Sequence, residues 1–236
     1  MSQRHRANFN NDFVMIPFHV NDRTLGAYSD KLATDLIGRL AQHFKLRHLG
    51  PTTFLLGITV LQDCVAGHIE LSQCQYVVDV LERFRFSSCS PVVTPMIPGL
   101  HLSKADAPST DAERAEMTNL PYTNTGGTLL YLAMATWPEI AYAVSVLCRF
   151  IANPGLLHWH AVKHVFRYLR GTAEAQLVYC CDAFDAQQLF SAFVDADHAG
   201  NPDNSHSTGR YALLVAGGAG CVMVFAAADN HCTFDN

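Results

Sequence analysis

The sequence predicts an α+β protein, with β-type runs towards both ends and helices between them. Two patterns carry that prediction. Between Pro121 and Thr172, apolar residues return at helical spacing in three successive stretches. At 54–73, and again from 176 onward, short runs rich in Val, Ile, Leu, Phe and Tyr are broken by glycine-containing turns.

Taken in order, residues 13–20 (FVMIPFHV) read as a short strand ending at Asn21-Asp22. Ser29 or Asp30 caps a following helix, with Leu32, Leu36, Leu40 and Phe44 on one stripe. Residues 54–73 form a hairpin around a turn containing Ala66-Gly67. Gln73 begins a helix in which Tyr76, Val77, Val80, Leu81 and Phe84 repeat at helical spacing. Pro91, Pro95, Pro98, Gly99 and Pro108 punctuate 87–120, a linker-like passage with a short acidic helix near Asp111–Met117.

Three amphipathic helices follow. Leu129, Leu130, Leu132 and Ala133 mark the first. Pro138 opens the second, at a position where its missing N–H costs nothing; Ile140, Val144, Leu147 and Ile151 are its stripe, and Asn153-Pro154-Gly155 stops it. In the third, Trp159, Val162, Phe166 and Leu169 face inward, Lys163, Arg167 and Arg170 lie on a different face, and Gly171 is a C-terminal cap. Strands are expected at Gln176–Cys181, Gln188–Asp195, Tyr211–Ala216 and Cys221–Ala226, the last two flanking the turn Gly217–Gly220. There is no internal repeat.

Bulk properties narrow the function. A chain of 236 residues with 49% hydrophobic content can bury a core. Its net charge of −5, from 16 basic and 21 acidic residues, gives it no global attraction to a polyanion, so nucleic-acid binding would need a local patch. No apolar run reaches the roughly 18 residues of a membrane span. The start, MSQRHRANFNNDF, lacks the apolar centre of a secretory signal, so a cytoplasmic or nuclear protein is expected. Eight cysteines without a CxxC pair read as reduced thiols, and the adjacent Cys180-Cys181 receive no function.

The runs PYTNTGGTLLYLA, WPEIAYAVSVLCRF and HWHAVKHVFRYLRGT resemble the segment that follows the polymerase palm in copia-type LTR-retrotransposon polyproteins. Phe54–Ile58, Ile69–Gln73 and Tyr76–Phe84 resemble that family's FLGI-like strand, ISLSQ-like strand and YxxxxLxxF helix, and SPVVTPMIPGLHLSK its proline-rich passage. The resemblance covers roughly 13–225. It implies a C-terminal part of a reverse-transcriptase palm (1–86), a proline-rich linker (87–120), a helical thumb or connection (121–175) and a truncated ribonuclease H-like sheet (176–236). That last sheet would lack its covering helices, leaving Tyr211–Ala216 and Cys221–Ala226 exposed and open to self-association.

Two carboxylate sites follow from the resemblance. His19-Val20-Asn21-Asp22 stands where the family carries Tyr-x-Asp-Asp. Two-metal phosphoryl transfer needs closely spaced carboxylates around two Mg²⁺ ions. Asn21 replaces one acid with an amide, leaving Asp22; the competing reading, an inert turn, is preferred because one carboxylate cannot build the clamp. Val194-Asp195-Ala196-Asp197-His198-Ala199-Gly200 resembles the family's SDADWAG, whose first aspartate is a ribonuclease H metal ligand. Residues two apart on a strand share a face, so Asp195 and Asp197 would form a like-charged pair suited to a cation. Asp197 reads equally well as a solvated strand end. The downstream acidic ligands of the family have no counterpart in AAADNHCTFDN. Mg²⁺ is therefore expected to bind weakly at most and without function.

His158, His160 and His164 cluster on the third helix, and His160 and His164 could share a metal, but zinc needs three or four ligands, so a wet helix face is the better reading. Lys163, Arg167 and Arg170 are candidate contacts to an RNA–DNA hybrid or DNA, against the alternative of a solubilising face. The expected function is that of an inactive reverse transcriptase/ribonuclease H segment, or else a non-catalytic nucleic-acid or protein-binding module.

Overall fold

The computed structural model describes residues 3–9, 12–19, 22–27, 29–180, 190–197, 200–215 and 218–226. It is mixed α and β and divides into two compact units, Met1–Thr52 and Thr53–Asn236.

In the first unit, β1 (Gln3–Phe9) and β2 (Asp12–His19) form an antiparallel hairpin, paired from Gln3↔Phe18 to Phe9↔Asp12. β3 (Asp22–Arg23) and β4 (Gly26–Ala27) both fold back onto β2. The polar run QRHRANF of β1 carries no strand signal; β2 supplies the pairing edge. α1 (Asp30–Ala41) starts at Ser29, whose hydroxyl accepts the Leu32 N–H at 3.4 Å, which settles the choice of cap. Leu32, Leu36 and Leu40 are only half-buried, and Phe44 is exposed. Phe44 lies beyond the helix end, so the helical repeat no longer sets its direction.

The second unit opens with β5 (Phe54–Leu55), β6 (Ile58–Asp63) and β7 (His68–Ser72). The β6–β7 turn is closed by Asp63, whose Oδ1 accepts the N–H groups of Val65 (2.9 Å) and Ala66 (2.8 Å). These bonds favour the carboxylate and hold the Asp63 pKa below its usual range. α2 (Cys74–Arg83) buries Val77, Val80 and Leu81. α3 (Asp111–Thr118) begins with a capping box in which Thr110 and Glu113 bond each other's backbone N–H. The Glu113 carboxylate accepts the N–H groups of Thr110 and Ser109, which lowers its pKa to about 2.

α4 (Tyr122–Ala135) buries Leu129, Leu132 and Ala133, while Leu130 is 47% exposed. One residue past Leu129 is about 100° around the helix, off the buried face. A 3₁₀ turn, Pro138–Ile140, leads into α5 (Ala141–Cys148), with Ile140, Val144 and Leu147 buried. α6 (Leu156–Thr172) is the longest helix described. Its Val162, Val165, Phe166 and Leu169 are buried in the same cluster as the inner faces of α2, α4 and α5. Phe166 is flanked by Phe84 and Phe86, with ring centroids 5.3 and 4.9 Å away. Each buried side chain of this size contributes about 1.5–3 kcal/mol against exposure.

Gly171 lies inside α6, not at its cap. A Cβ there would come within 3.0 Å of Pro91 Cβ, so the glycine serves a close approach. That approach belongs to a wider pattern: the proline-punctuated passage is fastened to the helices, with Leu102 and Met117 buried in the core and the Val92 N–H donating to the Arg167 carbonyl.

β8 (Leu177–Cys180) leaves α6 and joins the hairpin sheet, running antiparallel to β7 from Leu71↔Leu177 to His68↔Cys180. β9 (Phe190–Ala196), β10 (Thr208–Val215) and β11 (Gly218–Ala226) form an antiparallel meander in the order β11-β10-β9. Tyr211–Val215, expected to be uncovered, are half-buried, and β11 runs beside α5 and β8. Ala216 and the side chains of Cys221–Ala226 lie outside the described residues. Exposed apolar surface falls instead on β9, at Phe193 (62%) and Val194 (76%).

The start of α6 corrects another expectation. His158 is fully buried and does not sit on a wet face. Its Nδ1 accepts the Gly155 N–H at 2.8 Å, its Nε2 lies 3.1 Å from the Ser103 carbonyl oxygen, and its ring stacks on Phe150 at 4.1 Å. A neutral ring protonated on Nε2 satisfies both bonds. Gly155 is packed so closely that a Cβ would meet the Asp106 carbonyl oxygen at 1.8 Å. Burial pushes the His158 pKa down, partly opposed by the Ser103 carbonyl and the charges of Asp106 and Asp203.

A lowered histidine pKa means that the fold favours the neutral ring. Its contribution to stability is present above the unfolded value of about 6.5 and is lost as pH falls through the lower folded value. Urea unfolding should therefore show stability declining below about pH 6.5. His158→Gln should lower stability at neutral pH by about 2 kcal/mol and flatten part of that decline. An unchanged pH profile in the variant would contradict this role.

Candidate functional site

Asp22 is the first residue of β3, paired in register with His19. Asn21 lies outside the described residues, so the first carboxylate site rests on its sequence alone.

The second site is described in more detail. Asp195 is the penultimate residue of β9 and is exposed. β9 ends at Ala196, so Asp197 leaves the strand and is half-buried in the following loop. There its N–H donates to the Thr208 carbonyl, and its Oδ1 accepts the Thr208 N–H. Its Oδ2 lies 3.9 Å from Arg210 Nη2. Gly200 makes room for this: a Cβ there would meet Asp197 Oδ2 at 2.2 Å. Asp197 thus closes the β9–β10 loop. Mg²⁺ requires near-octahedral oxygen ligation. Among the described residues, no three His, Cys, Asp or Glu side chains gather for a metal, and the carboxylate of Asp197 is already engaged.

On α6, Lys163 and Arg167 are half-buried and Arg170 is exposed. Both arginines hold the preceding passage: Arg167 Nε donates to the Ser90 carbonyl at 2.8 Å and Arg170 Nε to the Ser87 carbonyl at 2.9 Å. His160 is exposed and His164 half-buried, with no third ligand beside them among the described residues. An open cleft of about 700 Å³ between α2 and α4 is lined by Tyr76, Arg83, Phe84, Asn124 and Thr128, among others, and holds one cation and no carboxylate. It offers hydrogen bonds without a general base.

Two contributions are missing from the sequence reading, the charge of Arg210 and the capping bond of His158. Arg210 is set by the β9–β10 register, which no local pattern fixes. His158 does carry a signal: its spacing of three from Gly155 is that of a capping box.

A chain with these sheets and this helical block is reverse-transcriptase-related by sequence comparison. The profile of the family described as "Reverse transcriptase (RNA-dependent DNA polymerase)" matches residues 5–98. The chain is 37% identical over 209 residues to the retrovirus-related Pol polyprotein from transposon TNT 1-94 of Nicotiana tabacum, covering 89% of this chain and 15% of that protein. It is 31% identical to the corresponding polyprotein from transposon RE1 of Arabidopsis thaliana, covering 86% of this chain and 13% of the relative. An uncharacterized mitochondrial protein of Arabidopsis thaliana is 28% identical over 87% of this chain and 79% of its own length. No solved structure matches. The chain belongs to the copia-type family of retrotransposon Pol polyproteins, of whose full length it spans a small part. No helix among the described residues is long and apolar enough to cross a membrane.

Proposed function

We propose that the chain is a non-catalytic segment of a retrotransposon reverse transcriptase/ribonuclease H. In this reading 1–86 are the last part of a polymerase palm, 87–120 a proline-rich passage, 121–175 a thumb or connection, and 176–236 the start of a ribonuclease H-like sheet. The observation that carries it is the engagement of Asp197 by Thr208 and Arg210, which removes one carboxylate from the second site. Asn21 in place of an acid does the same for the first. In-line phosphoryl transfer between two metal ions needs several carboxylates to neutralise the ions and fix their spacing. Asp22 and Asp195 are the acids left, one at each site.

Residual nucleic-acid contact has its own support. Lys163, Arg167 and Arg170 fall at spacings of four and three, along one line of α6. A guanidinium carries five N–H donors, so a single bond to a carbonyl leaves others for phosphate oxygens.

Primer extension and RNA–DNA hybrid cleavage, with Mg²⁺ or Mn²⁺, should show no turnover. Metal-dependent turnover abolished by Asp195→Asn would overturn the reading. A salt titration against the same hybrid should give measurable affinity at low salt, with log affinity falling against log salt at a slope of about −2 to −3 for three phosphate contacts. Undetectable affinity at low salt would remove the binding role.

A further inference from the structure

Asp195 and Arg210 are directly opposed across the β9–β10 pair. Opposed residues on adjacent antiparallel strands project from the same face of the sheet. The Arg210 guanidinium also lies 3.9 Å from Asp197 Oδ2. On its other side it sits over the ring of Tyr142, on α5, with its central carbon 4.6 Å from the ring centroid. A strand residue is thus held by a carboxylate and an aromatic face, beside a second carboxylate in register. Arginine suits such a place, since its planar, permanently charged group both stacks and pairs.

We propose that Arg210 is the resident cation of the Asp195–Asp197 pair: a guanidinium of the chain itself balances the two acids and excludes a divalent ion. The inference rests on the proposed reading of these aspartates as descendants of a metal-binding pair. Two carboxylates two residues apart repel each other unless a positive charge joins them. Here that charge is built into the neighbouring strand and anchored to the helical block through Tyr142. A divalent ion at Asp197 Oδ2 would sit within a few ångströms of a fixed positive charge. It would also compete with the Thr208 N–H for the same carboxylate.

The test uses the full chain, with free Mn²⁺ followed by electron paramagnetic resonance and thermal unfolding followed with and without Mg²⁺. The wild-type protein should leave the free Mn²⁺ signal undiminished and its Tm indifferent to Mg²⁺. Arg210→Gln should lower Tm and bind one Mn²⁺ per chain, with added divalent ion restoring part of the lost Tm. Adding Asp195→Asn to that variant should abolish the uptake. Arg210→Lys, which keeps the charge, should still exclude the ion and gives a second variant should Arg210→Gln not fold. Uptake of one Mn²⁺ by the wild type, lost in Asp195→Asn, would overturn the proposal. Destabilisation of Arg210→Gln without ion uptake would also overturn it, leaving Arg210 a packing residue. Metal uptake by the wild type without hybrid cleavage would sink this proposal alone, whereas cleavage would sink the functional reading beneath it.

Discussion

Phe166 is the contact around which the larger unit is organised. Its ring is sealed between Phe84 and Phe86, at the end of α2, on a helix whose neighbouring turns bury Val162, Val165 and Leu169. α6 follows α2 by some seventy residues, so this packing closes a long loop, whose entropic cost grows only slowly with length. Once closed, it places Leu177 at the level of Leu71, and β8 completes the hairpin sheet. The 87–120 passage is then drawn along α6, with Pro91 against Gly171 and two arginines gripping its carbonyls.

The same constraint decides what the chemistry-bearing side chains can do. Charged and imidazole groups that a sequence offers as ligands or phosphate contacts are engaged within the fold. His158 caps a helix, Arg167 and Arg170 hold a passage of backbone, and Asp197 closes a loop. Each of these bonds contributes about 1 kcal/mol while its partner is satisfied, and a buried partner left alone costs more. Reassigning His158 or Asp197 to a metal would first have to break such bonds. In the helical block these polar groups fasten the chain's own backbone.

Helical periodicity makes the block legible from its residues alone. The stripes of Val77/Val80/Leu81, Ile140/Val144/Leu147 and Val162/Phe166/Leu169 are buried as their spacing implies. Other features depend on pairing across long separations and leave no local trace. The β7–β8 ladder joins segments about a hundred residues apart, and β1 is recruited by β2 despite a polar sequence. Gly171 reads as a helix stop because glycine so often is one, yet its role is set by Pro91, eighty residues earlier. At the second carboxylate site the motif Val194–Gly200 begins in the last pleat of β9, which ends at Ala196. Its charge partner Arg210 is specified only by the β9–β10 register.

Hydrogen exchange on the native protein tests most directly whether α6 organises the second unit. The amides of α6 around Phe166 and those of the β7–β8 ladder should exchange with one shared opening free energy, equal to that of global unfolding, and Phe166→Ala should lower both by the same amount, about 3–5 kcal/mol. If the β8 amides exchange by a separate, lower-energy opening that Phe166→Ala leaves unchanged, α6 does not hold that sheet and the account fails.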